Sequence, residues 1–272
     1  MEKFSVLTSV YKNDKVEYVK EALDSILAST VKPSEIVMII DGPVPDEMKS
    51  FLEEYAKNNK ELKLHQNEVN LGLGNTLNKG LLLCENELVA RMDSDDICVA
   101  DRFEKQLKLI AEQDLDVLGG FIHEFCGTVD NIVSTRAVPQ TMEEIKKFVK
   151  TRNPFNHMTV MFKKSKVLET GNYQDMHYVE DYFLWCRMIL AGAKMANVED
   201  IFALARVDEK MYQRRGGYKY FKSQKKLFDF MRKNKMLNLF QYLKTLAIRF
   251  CVQVLMPNKL RERIYNKHLR KN

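Results

Sequence analysis

Asp93-Ser94-Asp95 sets two carboxylates one residue apart, directly after the apolar run Leu88-Val89-Ala90-Arg91-Met92. Alternate side chains of an extended chain share a face, so both acids point the same way. Two such carboxylates can hold a hard cation, and Mg2+ or Mn2+ bound by few protein carboxylates shares its shell with substrate phosphates. Taken alone, the triplet reads more readily as a solvated acidic turn, with Asp96 or Asp101 capping the next helix. Its place at a strand's carboxyl end, where open α/β sheets bind ligands, favours the metal-holding alternative.

Other candidates follow the same strand-end pattern. Asp41-Gly42 closes the run Glu35 to Ile40; a carboxylate there can accept from the imide N–H of a uracil ring, or can be an ordinary turn aspartate. Asn70-x-Gly72-x-Gly74 opens a helix, whose first N–H groups and dipole favour a phosphate. It is no dinucleotide fingerprint, because Leu77 stands where a third glycine would be and the motif lies in the third βα unit. Glycine turns around an N-cap explain it nearly as well. Glu180-Asp181 begins an amphipathic helix, where acids are common for dipole reasons alone, but beside a metal and a nucleotide such a carboxylate is placed for general-base catalysis. Gln213-Arg214-Arg215-Gly216-Gly217 joins guanidinium forks to a flexible turn, suited to gripping and releasing a diphosphate or to lying solvated on the surface. His157, after Asn153-Pro154-Phe155-Asn156, is a candidate third metal ligand or acceptor contact, or a structural histidine.

The elements that position these residues alternate. Phe4 to Ser9 is a strand pattern, and Val16, Val19, Leu23, Ile26 and Leu27 then recur at helical spacing, with Asn13 or Asp14 to cap. Strands at 35–40, 62–65, 88–92 and 116–122 alternate with helices at about 46–57, 74–84 and 100–112. Such alternation implies a doubly wound, mostly parallel sheet with helices on both faces. Beyond about Asn153 the pattern predicts a strand at 158–162, a helix at 180–190 and short strands near 195–198 and 202–207. A last amphipathic helix, 236–256, gathers Leu239, Phe240, Leu243, Leu246, Ala247, Phe250, Cys251 and Val254 on one face, and Pro257 ends it. The expected division is a catalytic domain over 1–217, with a nucleotide-sugar half at about 1–115 and an acceptor half at about 116–217, and a basic amphipathic helical tail over 218–272.

With 272 residues, 45% hydrophobic and 29% charged, the chain excludes a disordered polymer or a mini-protein. Its longest apolar stretch near the carboxyl terminus, 245–256, is broken by Arg249 and Gln253 and falls short of a spanning helix. The amino terminus enters a strand pattern without a signal-peptide core. Five cysteines, Cys84, Cys98, Cys126, Cys186 and Cys251, form no C-x-x-C pair and are expected to be reduced, core-filling thiols. The net charge of +6 conceals an asymmetry: from Lys210 onward 18 Lys/Arg face only Asp229 and Glu262, while the preceding 209 residues carry 25 basic and 35 acidic side chains. A basic tail on an acidic body suggests an anionic partner, nucleic acid or phospholipid.

Taken together, six ordered features resemble family 2 inverting glycosyltransferases of the GT-A fold, especially those building bacterial capsules, exopolysaccharides and O-antigen units. They are Ser9-Val10-Tyr11-Lys12-Asn13, Asp41-Gly42, Asn70-x-Gly72-x-Gly74, Arg91-Met92-Asp93-Ser94-Asp95-Asp96, Arg102-Phe103-Glu104-Lys105-Gln106 and Glu180-Asp181-Tyr182-x-Leu184-Trp185-x-Arg187. The resemblance covers Phe4 to about Gly217. It implies that Asp41 and the Tyr11 region contact the base, that Asp93 lies near the ribose, that Asp95 ligates Mn2+ or Mg2+, and that Asp181, with Glu180 beside it, is the catalytic base. The nucleotide-sugar contacts it implies are Ser9, Tyr11, Asn13, Asp41, Asn70, Gly72, Asn75, Arg91, Asp93, Ser94, Arg214 and Arg215; the metal set is Asp95, Asp93 and His157. The second strand ends Asp-Gly-Pro where many relatives have Asp-Asp-Gly-Ser. The processive Gln-x-x-Arg-Trp signature is absent, which favours transfer of one sugar at a time.

The expected reaction is single displacement from a UDP-sugar onto a free or polyprenyl-diphosphate-linked saccharide, in the cytoplasm and at the inner leaflet, where the basic tail would meet anionic lipid. The alternatives are a nucleotidyltransferase, which would want a glycine-rich basic signature near the first strand that Val6 to Asp14 lacks, and a non-catalytic binding protein. For the latter, Tyr212, Tyr218, Tyr220 and Phe221 would be base-stacking aromatics, but the expectation is that nucleic acid is not a partner.

Overall fold

A computed structural model of the chain describes residues 2–207 and 216–257. Strand β1 (Phe4–Val10) alternates cleanly, sending Phe4, Val6 and Val10 to one core and Leu7 to the other. β2 (Glu35–Ile40) is buried on both faces, as a central parallel strand must be. β1, β2, β3 (Leu62–Gln66) and β4 (Leu88–Arg91) pair in parallel in the order β3-β2-β1-β4. Helices α1 (Val16–Leu27) and α2 (Asp46–Asn58), together with α4 (Arg102–Gln113), cover one face, and α3 (Leu73–Leu83) covers the other. The expected doubly wound architecture is therefore present. Because the chain steps from β1 outward to β3 and then returns to β4 on the other side, the strand order reverses between β1 and β4, and ligands of such sheets bind at that reversal.

The remaining strands extend the same nine-stranded sheet. β6 (Val117–Phe125) pairs in parallel with the long β9 (Met195–Arg206), and β8 (Met161–Lys163) runs antiparallel between β4 and β6. The boundary expected near residue 115 thus falls inside a continuous sheet. Several short elements have no counterpart in the sequence pattern: β5 (Ile97–Cys98), the hairpin strand β7 (Ile132–Arg136), α5 (Met142–Phe148) and α6 (Lys164–Glu169). Each is too brief to carry a periodic signal. The strand expected at 158–162 is a 3-10 turn at His157–Thr159 followed by β8, and the two short strands expected near the end are β9, one strand with register shifts.

Helix α7 (Glu180–Leu190) lies on the α3 face with Trp185 fully buried, while its other side meets a third cluster. That cluster is completed by α8 (Tyr218–Lys233) and α9 (Leu239–Phe250), followed by a wide turn over Cys251–Leu255. The single tail helix expected over 236–256 is shorter: Asn238 and Gln241 form a capping box that starts α9 at Leu239, α9 ends at Phe250 and the wide turn takes up the rest, while α8 is a separate helix ahead of that span. Of the expected apolar stripe only one edge, with Leu246, packs inward beside Tyr242; Leu239, Phe240, Leu243 and Phe250 stay exposed. The cysteine expectation holds for Cys84, Cys98 and Cys186, whereas Cys126 and Cys251 are exposed. Among the described residues no helix is long and apolar enough to cross a membrane.

Candidate active site

The turn after β1 and the turn after β4 meet at the strand-order reversal. Asp14 accepts hydrogen bonds from the backbone N–H of Tyr11 (3.0 Å) and from the hydroxyl of Ser94 (3.1 Å), so the two strand ends are tied directly together. This replaces the capping role expected of Asn13 or Asp14, since α1 begins without a side-chain cap. Burial pushes the Asp14 carboxyl up to about 6, with Asp95 and Asp93 adding like-charge repulsion. Ser9 is half-buried at the end of β1, and Tyr11 and Asn13 are exposed on the turn beyond it.

Beneath the acids lies Arg91, fully buried and ion-paired with Asp93. Burial opposes the Arg91 charge, but Asp93 outweighs it and the guanidinium is held more firmly protonated than usual. Asp95 sits open at the mouth of the crevice, yet loss of hydration and the charge of Asp93 raise its carboxyl to about 6. Asp96 is buried, accepts the Arg206 N–H at 2.9 Å, and is pushed well up by desolvation and by its two acidic neighbours. Arg206 closes the far side: its Nε donates to the Asp95 carbonyl at 3.1 Å while its guanidinium lies over the rings of Tyr18 and Phe125.

The base of this acidic turn is fixed by the Arg102 to Gln106 segment. Arg102, fully buried, donates to the Arg91 carbonyl (2.8 Å) and to Gln106 Oε1 (2.9 Å), and Gln106 donates to the carbonyls of Leu118 (3.0 Å) and Thr159 (2.9 Å). One helix turn thus pins β4, β6 and the His157–Thr159 turn at a common point. A buried guanidinium costs several kcal/mol unless its donors are met, as most of these are.

Glu180 and Asp181 enter from the opposite wall, in the first turn of α7. Gly74 permits the approach: a Cβ there would lie 2.7 Å from the Gln174 carbonyl and 3.2 Å from Glu180 Cβ. Glu180 is buried and raised to about 7, chiefly by desolvation and then by Asp181, with Asp93 adding repulsion. Asp181 is also raised, by burial, against the pull of hydrogen bonds from Asn153 Nδ2 and the Tyr182 N–H (2.7 Å) and of the Arg136 and Arg91 charges. Asn153 holds one carboxylate oxygen while its own Oδ1 accepts from the Phe155 N–H at 3.2 Å, so the carboxylate is locked in rotation.

Asp41 is placed differently. Its oxygens accept from Asn67 Nδ2 (3.0 Å), the Leu71 N–H (2.8 Å) and the Gly72 N–H (3.0 Å), leaving about one of its four lone-pair positions for a ligand. The N–H groups of the Asn70-x-Gly72 turn that a phosphate would use are therefore committed to Asp41. Asn70 and Asn75 turn back on the same corner, donating to the carbonyls of Asp41 and Leu71 at 3.1 Å each. Gly42 has φ +86°, and a Cβ there would come within 2.6 Å of the Asn70 backbone nitrogen, so only glycine closes this corner.

His157 departs from its expected place in the metal set. Its Nε2 is hydrogen-bonded to the Tyr173 hydroxyl at 2.9 Å, its ring faces Trp185, and burial beside Arg91 keeps it neutral. Among the described residues no three His, Cys, Asp or Glu side chains form a metal cluster. The pair Asp93 and Asp95 still fits a hard cation, because its donors are oxygen only and the crowded charge at Asp95 asks for a counter-ion that phosphate oxygens can share. Arg214 and Arg215 lie outside the described residues. Nothing in the sequence marks Asp14, Asn153 or Tyr173 as site residues; Asp14 and Asn153 adjoin the site motifs, but no local pattern marks a partner that arrives from another element.

The chain is similar to known proteins over most of its length. The sequence model of glycosyl transferase family 2 matches residues 5–169. The amylovoran biosynthesis glycosyltransferase AmsE of Erwinia amylovora is 37% identical over 97% of this chain and 98% of its own length. A UDP-Gal:alpha-D-GlcNAc-diphosphoundecaprenol beta-1,3-galactosyltransferase of Escherichia coli is 35% identical over 99% of this chain and 97% of its own. The crystal structure of residues 1–349 of TarS from S. aureus, in complex with UDP-GlcNAc, superposes with a TM-score of 0.67, covering 97% of this chain and 75% of that one at 20% identity. The last likeness concerns the fold, which is the GT-A type expected from the motifs.

Proposed function

This chain belongs to glycosyl transferase family 2, as a glycosyltransferase of polysaccharide biosynthesis, and from that premise we propose that it moves one hexosyl or N-acetylhexosaminyl unit from a UDP-sugar to a saccharide on a polyprenyl diphosphate. The observation that carries the reading is that Glu180, which begins α7 with Asp181 beside it, comes near enough to the acids after β4 for the charge of Asp93 to raise its carboxyl, while Asp93 in turn raises Asp95. The UDP donor and the lipid-linked acceptor are supported by the UDP-GlcNAc complex of TarS and by the diphosphoundecaprenol substrate named for the Escherichia coli relative.

Asp181 takes the proton of the acceptor hydroxyl, held in line by Asn153. The freed oxygen attacks the anomeric carbon, the bond from that carbon to the diphosphate breaks, and UDP leaves, so one displacement inverts the configuration. Asp93 and Asp95 would hold Mn2+ or Mg2+, which when bound neutralises charge developing on the diphosphate. Arg214 and Arg215 are the proposed cationic clamp on that leaving group. Tyr11, Ser94 and the remaining acceptor position of Asp41 are proposed contacts of the uridine. Without the processive signature, each encounter transfers one sugar. The place of work is the cytoplasmic face of the membrane that holds the lipid-linked acceptor.

The test is a nucleotide-release screen with purified protein, Mn2+ and UDP-, GDP-, dTDP- and CMP-sugars, with and without chelator. Release from one UDP-sugar that chelator abolishes is the expected result. Silence across the panel, with no UDP binding by calorimetry, would overturn the reading.

A further inference from the structure

Helix α9 carries no buried residue, although eight of its twelve side chains are hydrophobic. Leu239, Phe240 and Leu243 project into solvent, Phe240 with 73% of its surface exposed. The patch continues onto α8, because the Phe250 ring lies 5.3 Å from Phe221, which lies 6.4 Å from the exposed Tyr218. Single exposed leucines are ordinary, but a contiguous apolar face of this kind marks a surface that is covered in use.

The charge around the patch says by what. Over residues 216–257 nine Lys/Arg stand against Asp229, and that acid is already bonded to Lys225 (2.8 Å) and Tyr242 (2.6 Å). Lys233 and Lys235, which lead into α9, and Lys244, which follows Leu243 within it, are exposed. The sequence after residue 257 adds six more Lys/Arg against Glu262. An apolar helix face accompanied by cations is complementary to an anionic bilayer surface, whereas a second copy of the chain would bring like charge against like.

We propose that α9 docks the chain on an anionic phospholipid surface, with Leu239, Phe240 and Leu243 entering the acyl boundary and Lys233, Lys235 and Lys244 resting on headgroup phosphates. The proposal deepens the lipid-linked-acceptor reading and rests on it for its purpose. Its consequence for the site follows from packing: Tyr242 and Leu246 on the inner side of α9 pack against the cluster that contains Val149 and Tyr182. Tyr182 donates its hydroxyl to the Val149 carbonyl and directly follows Asp181; Arg249 donates to the Thr151 carbonyl, two residues before Asn153. Docking therefore sets the leaflet against the acceptor wall of the crevice.

The test uses the full chain with vesicles containing about one-third phosphatidylglycerol in phosphatidylcholine, against phosphatidylcholine alone. Wild type is expected to co-sediment with the anionic vesicles, less so as salt rises. The Phe240→Ser/Leu243→Ser variant, which alters only exposed side chains, should lose about tenfold or more in binding with its thermal unfolding unchanged. Lys235→Glu/Lys244→Glu should erase the preference for anionic vesicles. Both variants should still transfer sugar to a water-soluble acceptor at the wild-type rate. Wild type that ignores the vesicles, variants that bind as wild type does, or a wild-type dimer that the serine variant turns into monomer with vesicle binding unaltered would overturn the proposal. If no protein transfers sugar while vesicle binding still separates wild type from variants, the acceptor reading falls and the docking stands.

Discussion

Asp41 and Asp95 both follow parallel strands of the same sheet, yet their surroundings are opposite. Asp41 accepts three hydrogen bonds from Asn67, Leu71 and Gly72 and closes a corner that Gly42 alone can occupy. Asp95 faces Asp93, Asp14 and Asp96, with its carboxyl raised to about 6 by desolvation and repulsion. A carboxylate given donors stabilises the fold; carboxylates crowded against one another cost stability and are kept where a ligand or a reaction uses them. Glu180, repelled by Asp181 and Asp93, belongs with the second kind; Asp181 has donors in Asn153 and Tyr182 but is raised by burial, which likewise costs stability.

The largest effect that would break this contrast concerns Asp181. Asp181→Asn should lower turnover about 10^3-fold without lowering the melting temperature, because it removes the base and little packing. Near-normal turnover in folded protein would return Asp181 to the scaffold class. Next comes Asp41→Ala, which leaves the Asn67, Leu71 and Gly72 donors unpaired and should cost about 3 kcal/mol in urea unfolding; an unchanged midpoint would remove the corner from the argument for stability.

Glu180→Gln should act in the opposite direction. With a folded value near 7 against an ordinary 4.5, Glu180 binds more protons folded than unfolded between those limits, so the stability it confers is greatest below about 4.5 and falls as pH rises toward 7. Relieving the charge should raise stability by about 2 kcal/mol at pH 8 in chelator and by nothing at pH 4, measured by denaturant unfolding at both. The smallest effect sharpens the contrast: the acid limb of the turnover profile should lie above the ordinary carboxylate range, because burial raises Asp181. In Asn153→Ala, which removes a hydrogen bond to the charged form, that limb should move further up. A limb that stays in place would separate Asn153 from the base.

The alternating strands, the doubly wound class and the run of acids at strand ends were legible in the sequence because each is local. A strand shows its period within six residues, and Asp93-Ser94-Asp95 announces itself by position. The partners were not legible. Asp14 reaches Ser94 across 80 residues, Asn153 reaches Asp181 across 28, and nothing in either stretch records the other. The sequence leaves His157 available for a metal, but in the fold the Tyr173 hydroxyl is hydrogen-bonded to its Nε2. The tail shows the same limit: its composition and amphipathic character were evident, but the start of a second helix at Asn238, and hence which side faces water, depends on how α8 and α9 seat against α7. Local sequence is enough for the long strands and helices and for the chemistry they can carry, since propensity, periodicity and residue type act over one or two turns, but not for the short elements β5, β7, α5 and α6. Tertiary structure alone decided which carboxylates are satisfied and which are crowded, because hydrogen-bond partners, desolvation and like-charge repulsion are set by residues far apart in the chain.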